Sequence, residues 1–460
     1  MTVTLDDIRR ARVRIEDHVE LTPFTDSVTL SAITGAKVFI KFENQQFTAS
    51  FKERGALNKL LDLDEDARKR GVIAVSAGNH AQGVAYNARR LGIPATIVMP
   101  ATPPLTKVTH TREFGAKVVL IGDTIADGMD EARRLEVENG LTFVHPFDDE
   151  AVIAGQGTLA LEMLDARPDL ETIVVPIGGG GLISGIATAA KAIRPDINIV
   201  GVETEIYPSA LDALNGRKGN YRGITVAEGI AVKEPGKLTL PIIRDLVDEV
   251  MTVSEHDIER AIAYYFNVEK TVAEGAGAAS LAALLARPER FKDRRTGLVL
   301  SGGNIDARLM AMVIMRGLIR DGQLARIRVE TADVPGQLAR VAGVIAEAHG
   351  NIVEVEHQRL LADVAPEIRR SLHYRRDPRP RAGQRDHGRA RRRRFQRRSS
   401  LEAHIRQISS RVRRLSSSSR VSSGAWPGTS NEFETSIVPG RISARALAWS
   451  SGIGAGDRKA

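Results

Sequence analysis

The chain has 460 residues, enough for two or three domains with a well-buried core. It contains no cysteine, which excludes disulfides, thiolate metal sites and a cysteine nucleophile. The formal net charge of +8 is unevenly distributed: residues 366–460 hold 23 of the 65 basic and 7 of the 57 acidic side chains, a net of +16 that leaves residues 1–365 at −8. Nucleic-acid binding is therefore expected only from this tail, and there only non-specifically.

The first twenty residues are amphipathic and mixed in charge, without the apolar stretch of a signal peptide. No run of the sequence approaches the roughly 18 to 20 apolar residues that would span a bilayer. We therefore expect a soluble, cytoplasmic protein that does not bind membranes.

Between Ala36 and Ile319, short β-branched runs alternate with helical patterns. The predicted strands are Lys37–Phe42, Val72–Ser76, Ala95–Met99, Lys117–Ile121, Thr172–Ile177, Ile197–Glu203 and Thr296–Leu300. The predicted helices are Ala81–Leu91, Ala126–Glu138, Ser184–Ala192, Asp257–Asn267 and Ala276–Leu285. Continuously apolar strands separated by helices indicate an α/β fold with mostly parallel sheets.

A different pattern starts near Ala325, where the sequence predicts a strand, a turn, an amphipathic helix and a second strand. Beyond Ala365 there are 22 arginines, one lysine and 16 serines without periodicity, so we predict disorder. The predicted divisions are 1–322, with a smaller subdomain inserted at about 46–144, then 323–365 and 366–460. The arginine bias suggests translation in a shifted reading frame, and a genuine disordered basic arm is the alternative.

The first motif is SFKERGA, residues 50–56, which contains Lys52 at a loop-to-helix transition. Taken alone, a lysine is usually a solvated surface charge. A desolvated lysine, however, has a lowered pKa and forms a Schiff base with an aldehyde.

The second motif, SAGNHAQG at residues 76–83, follows a predicted strand and opens a helix. The free amides and the positive dipole end of such a helix attract an anion. Small residues around Asn79 and His80 let a ligand approach closely, so an amino-acid carboxylate would suit this loop. A simple capped turn is the alternative interpretation.

Two further strand ends carry glycine-rich turns. Gly178, Gly179, Gly180 and Gly181 form a run whose amides suit a phosphate, although a plain tight turn is the alternative. Ser301 begins the turn SGGN after the last predicted strand. Because ligands of open α/β sheets gather at the carboxyl ends of strands, we expect these motifs to share one site.

In this order, the four motifs resemble those of the serine and threonine dehydratases among the fold-type II (tryptophan synthase β-like) pyridoxal 5′-phosphate enzymes. Residues 145–162 and 272–279 also resemble that family, and the likeness covers about residues 1–365. Residues 333–352 resemble the first half of an ACT regulatory domain. The resemblance implies two α/β subdomains followed by an incomplete α+β ACT-like segment and the disordered tail.

The resemblance also implies the cofactor, pyridoxal 5′-phosphate, and a β-elimination that converts L-threonine, and L-serine, into a 2-oxo acid and ammonia. Lys52 would form the Schiff base and shuttle protons. The other implied cofactor contacts are Phe51, Asn79, Gly178, Gly179, Gly180, Gly181, Leu182 and Ser301, with Ser301 facing the pyridine nitrogen. The implied substrate contacts are Ser76, Asn79, His80 and Glu274. A neutral serine at the pyridine nitrogen suits elimination better than transamination.

Several alternatives and partners follow from the same resemblance. Serine and hydroxyaspartate racemases are similar but carry a second serine where this chain has Ala77, which disfavours racemisation. A different class would be an amino-acid-sensing binding protein on a degenerate fold. No metal is expected, because Glu203 resembles one ligand of a cation site but Tyr207 and Ser209 offer no second carboxylate. A homo-oligomer, dimer or tetramer, and a role in isoleucine biosynthesis are also implied.

Overall fold

The computed structural model describes residues 3–102, 105–330, 335–358, 420–423 and 441–448. The chain divides into two compact units, Met1–Val313 and Ile314–Ala460. Within the described ranges, no helix combines the length and the apolar character needed to cross a membrane.

The first unit is built on two sheets. Its strands are β1 (Phe24–Asp26), β2 (Lys37–Phe42), β3 (Val72–Val75), β4 (Ala95–Met99), β5 (Lys117–Leu120), β6 (Thr142–Phe143), β7 (Thr172–Pro176), β8 (Asn198–Thr204), β9 (Glu249–Val253) and β10 (Arg295–Leu300). One sheet has the order β1-β2-β10-β7-β8-β9 and the other β5-β4-β3-β6. The strands pair in parallel except β1 with β2, so the predicted α/β fold with mostly parallel sheets is confirmed.

Helices surround both sheets. They are α1 (Leu5–Ile15), α2 (Val28–Thr34), α3 (Lys52–Leu61), α4 (Glu65–Arg70), α5 (Asn79–Arg90), α6 (Leu105–Glu113), α7 (Ile125–Asn139), α8 (Glu150–Ala166), α9 (Gly181–Ile193), α10 (Ser209–Leu214), α11 (Thr239–Leu246), α12 (Glu255–Tyr264), α13 (Gly275–Ala286), α14 (Pro288–Phe291) and α15 (Ala307–Arg320). A core that includes Ile173 and Ile186 covers the larger sheet, and one that includes Val84 and Ile97 covers the smaller.

The helix N-termini fall into two groups. Six helices are capped by the side chain of their own N-cap residue: α1 by Thr4, α2 by Ser27, α4 by Asp64, α7 by Thr124, α8 by Asp149 and α12 by Ser254. The N-cap residues of α3, α5, α9 and α13 make no side-chain cap hydrogen bond; they are Phe51, Gly78, Gly180 and Glu274. The amides in the first turns of these four helices therefore lack the usual side-chain acceptor.

A buried ion network fixes α3. Arg54 is completely buried; its Nε donates to Glu43 Oε2 at 2.7 Å and its Nη1 donates to Glu162 Oε1 at 2.5 Å. Lys41 Nζ lies 2.5 Å from Glu162 Oε2, so the network joins β2, α3 and α8. Burial alone would raise the pKa of Glu43, but the Arg54 charge and hydrogen bonds outweigh it, and that pKa lies below its usual value. Every charge in this dry interior thus has a partner.

The second unit contains β11 (Leu324–Glu330), α16 (Gln337–Glu347), β12 (Gly350–Gln358), β13 (Arg420–Ser423) and β14 (Arg441–Ala448). Its antiparallel sheet has the order β12-β14-β11-β13. Val341 and Ile345 of α16 pack with Ile327 and Val329 of β11 in a small core. The strand, helix and second strand predicted from Ala325 onward are thus present.

The structure differs from the predicted disordered tail at β13 and β14. The segment 441–448, RISARALA, alternates polar or long residues with Ile442 and three alanines, a period of two that is typical of a strand. Its arginine and serine content obscured this pattern in the sequence. The other residues of the predicted tail lie outside the described residues.

The first prediction concerns the buried network. Replacing Arg54 with alanine should leave Glu43 and Glu162 buried without their shared partner, and we expect a loss of about 3–5 kcal/mol of unfolding free energy or failure to fold. The matched control is Arg134→Ala, which also removes an arginine between two carboxylates, Glu131 and Glu138, but on an exposed face of α7. Urea denaturation should show a large decrease for the first variant and little change for the second. Equal stabilities would contradict the structural importance of the network.

Candidate active site

The lysine motif and the loop after β10 are joined by their backbones. Phe51 N donates to Ser301 O at 3.1 Å, which places Lys52 beside the buried end of β10. Glu274 N donates to Gly302 O at 3.1 Å and brings the start of α13 to the same loop. The structure thus assembles three segments that are distant in the sequence.

Lys52 lies in the first turn of α3, half-buried. Its Nζ donates to the backbone oxygen of Pro146 at 2.5 Å and lies 5.2 Å from the centroid of the Phe51 ring. Burial lowers the pKa of Lys52 to about 8, although the nearby Glu274 carboxylate acts in the opposite direction. A large fraction of this amine is therefore neutral near pH 8, the form that attacks an aldehyde.

The four glycines form the turn between β7 and α9. Gly180 has a left-handed backbone, with φ of 94°, and a side chain on Gly179 would come within 2.2 Å of the Phe147 ring. A side chain on Gly181 would come within 2.8 Å of the Phe147 backbone oxygen. The sequence had attributed this run to anion binding, and the structure adds that Phe147 leaves no space for side chains here. Leu182, in the first turn of α9, is buried.

Asn79 and Glu274 contact each other directly. Asn79 Nδ2 donates to Glu274 Oε1 at 2.7 Å, and Asn304 Nδ2 donates to Asn79 Oδ1 at 2.8 Å. Burial raises the pKa of Glu274 to about 7, against the lowering effect of the Asn79 hydrogen bond. Near neutral pH the site therefore contains a carboxyl group that either holds or releases a proton.

The loop between β3 and α5 is partly open. Ser76 Oγ accepts a hydrogen bond from Gly78 N at 3.2 Å, and a side chain on Gly78 would meet no atom within 4 Å. His80 is buried, and its Nε2 lies 2.8 Å from Val144 O, which requires the proton to be on Nε2. Burial, and then the nearby Lys52 charge, lower the pKa of His80 to about 3, so the ring is neutral. This ring nitrogen is engaged in the interior, unlike the predicted substrate contact.

Sequence reasoning missed the segment His145–Asp148, which connects the other parts of the site. Pro146 O accepts from Lys52, the Phe147 ring packs against the glycine turn, and Asp148 accepts from the backbone of Lys237 and Leu238 near the start of α11. The segment follows β6, a strand of two residues that is too short to show a periodicity. Its position after a fourth strand of the smaller sheet is the signal that could have found it.

These residues suit a group that carries an aldehyde and a phosphate. Lys52 supplies a buried amine, and the glycine turn supplies uncapped amides in a cradle that added Cβ atoms would fill. Glu203, considered in the sequence as a possible cation ligand, instead accepts hydrogen bonds from Ala210 N at 2.8 Å and Leu211 N at 2.9 Å. Its carboxylate thus caps α10, which agrees with the structural role favoured from the sequence.

Comparisons with known proteins agree with this interpretation. The chain is 45% identical over 364 residues to the L-threonine ammonia-lyase of Thermotoga maritima, covering 79% of this chain and 90% of the relative. It is 48% identical over 354 residues to the L-threonine ammonia-lyase of Geobacter sulfurreducens, covering 76% of this chain and 88% of the relative.

Solved structures extend the likeness to the fold. A threonine deaminase from the organism abbreviated T.th. has a TM-score of 0.63 at 41% identity, over 66% of this chain and 99% of that chain. The serine racemase of Dictyostelium discoideum has a TM-score of 0.63 at 34% identity, over 66% of this chain and all of that chain. The family model described as pyridoxal-phosphate dependent enzyme matches residues 15–302, which include Lys52, the glycine turn and Ser301. This chain therefore belongs to the pyridoxal-phosphate dependent enzyme family.

Proposed function

We propose that this enzyme deaminates L-threonine, and L-serine, by β-elimination of water, giving 2-oxobutanoate or pyruvate and ammonia. The observation that carries the proposal is the buried amine of Lys52, held beside Pro146 and next to the neutral residue Ser301. Support for the substrate comes from two relatives named L-threonine ammonia-lyase, at 45% and 48% identity.

Pyridoxal phosphate, when bound, withdraws electrons from the substrate α-carbon and makes the α-proton removable. Lys52 is the base that takes this proton, because its lowered pKa leaves a large neutral fraction near neutral pH. Ser301 offers the pyridine nitrogen a hydrogen bond without a charge, which favours elimination over transamination. Phe51 supplies an apolar surface beside the Lys52 amine.

Two helix starts bind the anionic groups. The amides of Gly178, Gly179, Gly180, Gly181 and Leu182 hold the cofactor phosphate at the start of α9. The uncapped start of α5 holds the substrate carboxylate through Ser76, Asn79 and the backbone amide of His80. His80 contributes its backbone because its ring donates to Val144. Glu274 lines the same space beside Asn79.

Racemisation of serine is the second candidate, favoured by the structural likeness to a serine racemase. Racemisation requires a group that returns a proton to the opposite face of the α-carbon. The residue before the Gly78 cap of α5 is Ala77, whose methyl group cannot transfer a proton. We therefore favour elimination. A homo-oligomeric state, a role in isoleucine biosynthesis and a cytoplasmic location stay predictions of the sequence.

Lys52→Ala should reduce 2-oxobutanoate formation from threonine to less than about a tenth of the wild-type rate, because base and cofactor attachment are lost together. Its visible absorption band should disappear while its circular dichroism is unchanged. The matched control is Lys69→Ala, which removes an exposed lysine paired with Glu65 and should keep wild-type activity. Substantial turnover by the Lys52 variant would exclude Lys52 as the catalytic residue.

Gly179→Ala should weaken the binding of pyridoxal phosphate about tenfold or more, because the new methyl group would meet the Phe147 ring and displace the cradle. Gly343→Ala in α16 is the control, since its Cβ would meet no atom within 4 Å. Fluorescence titration of each apo-protein measures the dissociation constants. If both variants bind as the wild type does, the turn does not hold the phosphate.

Ser301→Asp should lower the elimination rate, because a carboxylate beside the pyridine nitrogen would protonate the ring and strengthen its electron withdrawal, diverting the substrate carbanion. Ser301→Ala is the companion variant and should keep more activity, since it adds no charge. Rates of 2-oxobutanoate formation, with pyridoxamine phosphate measured as the diverted product, compare the two. An unchanged rate in Ser301→Asp would show that this residue does not face the nitrogen.

A further inference from the structure

The side-chain amide of Asn79 is held in one orientation by a chain of hydrogen bonds. The chain starts at the backbone oxygen of Thr48, which accepts from Asn304 Nδ2 at 2.8 Å. Asn304 Nδ2 also donates to Asn79 Oδ1, and Asn79 Nδ2 donates to Glu274 Oε1. A carbonyl oxygen only accepts, so the direction of every later bond follows from the first.

Thr48 is itself fixed to the helix that carries Lys52. Glu53, the residue after Lys52, accepts from Thr48 N and from Thr48 Oγ1, both at 2.9 Å. The loop that begins the chain of hydrogen bonds therefore has a defined position relative to the amine. Any change at Asn304 would reach Asn79 without moving α3.

Glu274 occupies the other end of the chain. It is the N-cap residue of α13 but makes no side-chain cap bond to that helix. Its Oε1 faces Asn79 instead, and a side chain on Gly302 would come within 2.5 Å of this oxygen. Because Oε1 must accept from Asn79, a proton on this carboxyl group belongs on Oε2.

We propose that Asn304, Asn79 and Glu274 form a directional hydrogen-bond relay that leaves the second N–H of Asn79 for the cofactor and holds the Glu274 carboxylate facing Lys52. Within the described part of the chain, that second N–H has no recorded acceptor. Asn304 and Glu274 are thus positioning residues. The inference rests on the proposed use of Lys52 and Asn79 in this site.

The charges around Lys52 give the relay a measurable effect. The groups that act on Lys52 or are acted on by it are Glu274 on α13, His80 on α5 and His145 after β6. Burial lowers the pKa of both histidines, so they are neutral near pH 8. Glu274 is then mostly ionised, with a pKa of about 7, and its charge stabilises the Lys52 ammonium.

Glu274 has charged neighbours of its own. Lys107 and Glu228 form an ion pair of 2.8 Å, and their effects on the pKa of Glu274 have opposite signs. Glu228 therefore provides a control carboxylate in the same region that is not among the causes of the Lys52 shift.

The test uses the rate at which apo-enzyme attaches pyridoxal phosphate, followed by visible absorbance across pH and divided by the rate for a free lysine amine. For the wild type, the rate should be half-maximal near pH 8. Glu274→Gln keeps an oxygen acceptor for Asn79 but removes the charge, so its midpoint should move about one pH unit lower. Glu228→Gln should keep the wild-type midpoint.

Asn304→Ala tests the other end of the relay. It removes no charge, so the midpoint should stay near the wild-type value, but the freed Asn79 amide should weaken cofactor binding about fivefold. Glu274→Gln should bind the cofactor more tightly than Glu274→Ala, because glutamine still accepts from Asn79. This rescue would not occur if Glu274 only filled space.

An unchanged midpoint in Glu274→Gln, or wild-type affinity in Asn304→Ala, would overturn the relay. These readings require no turnover. If the wild type failed to deaminate threonine but showed these shifts, the proposed reaction would be wrong and the relay would stand. If the wild type deaminated threonine without the shifts, the reverse would hold.

Discussion

The position of the reactive lysine depends on the buried guanidinium of Arg54. Arg54 follows Lys52 by two residues on α3, and its bonds to Glu43 and Glu162 connect that helix to β2 and α8. Two glycines allow the close packing that accompanies these bonds. A side chain on Gly55 would come within 2.8 Å of α8, and one on Gly83 within 3.2 Å of the Lys52 backbone oxygen. The lysine is thus carried by a helix that has little freedom to shift.

The helix N-termini divide between stability and binding. Thr4, Ser27 and Asp149 each cap a helix with their own side chain, as sequences usually do where a helix only supports the fold. At the candidate site, Gly78 and Gly180 stand at the corresponding positions and leave the amides without side-chain acceptors. A capping residue would stabilise each helix but would occupy the positions that anionic groups need.

Sequence reasoning succeeded where the signal is local. The strand Lys37–Phe42 and the glycine turn are contiguous patterns, and the structure has both where they were predicted. The failures required knowledge of tertiary contacts. Pro146 holds Lys52 through a backbone oxygen, which no side-chain motif reveals, and the interior orientation of the His80 ring depends on Val144, 64 residues away. The relay through Asn304 likewise joins residues separated by 225 positions in the sequence.

The same burial that prepares Lys52 for chemistry makes the free enzyme electrostatically costly. The lowered pKa of Lys52, about 8 against an ordinary value of 10.5, means that the folded chain opposes the ammonium form, so this cost is fully present below pH 8 and disappears as pH rises through 10.5. The raised pKa of Glu274, about 7 against 4.5, adds a cost that grows as pH rises above 4.5 and is complete above 7. Between pH 7 and 8 both groups are largely charged, and their mutual attraction only partly compensates. Covalent attachment of the cofactor consumes the neutral form of the amine, so the strain of the free site favours the loaded one, while the network around Arg54 keeps the scaffold folded in the meantime.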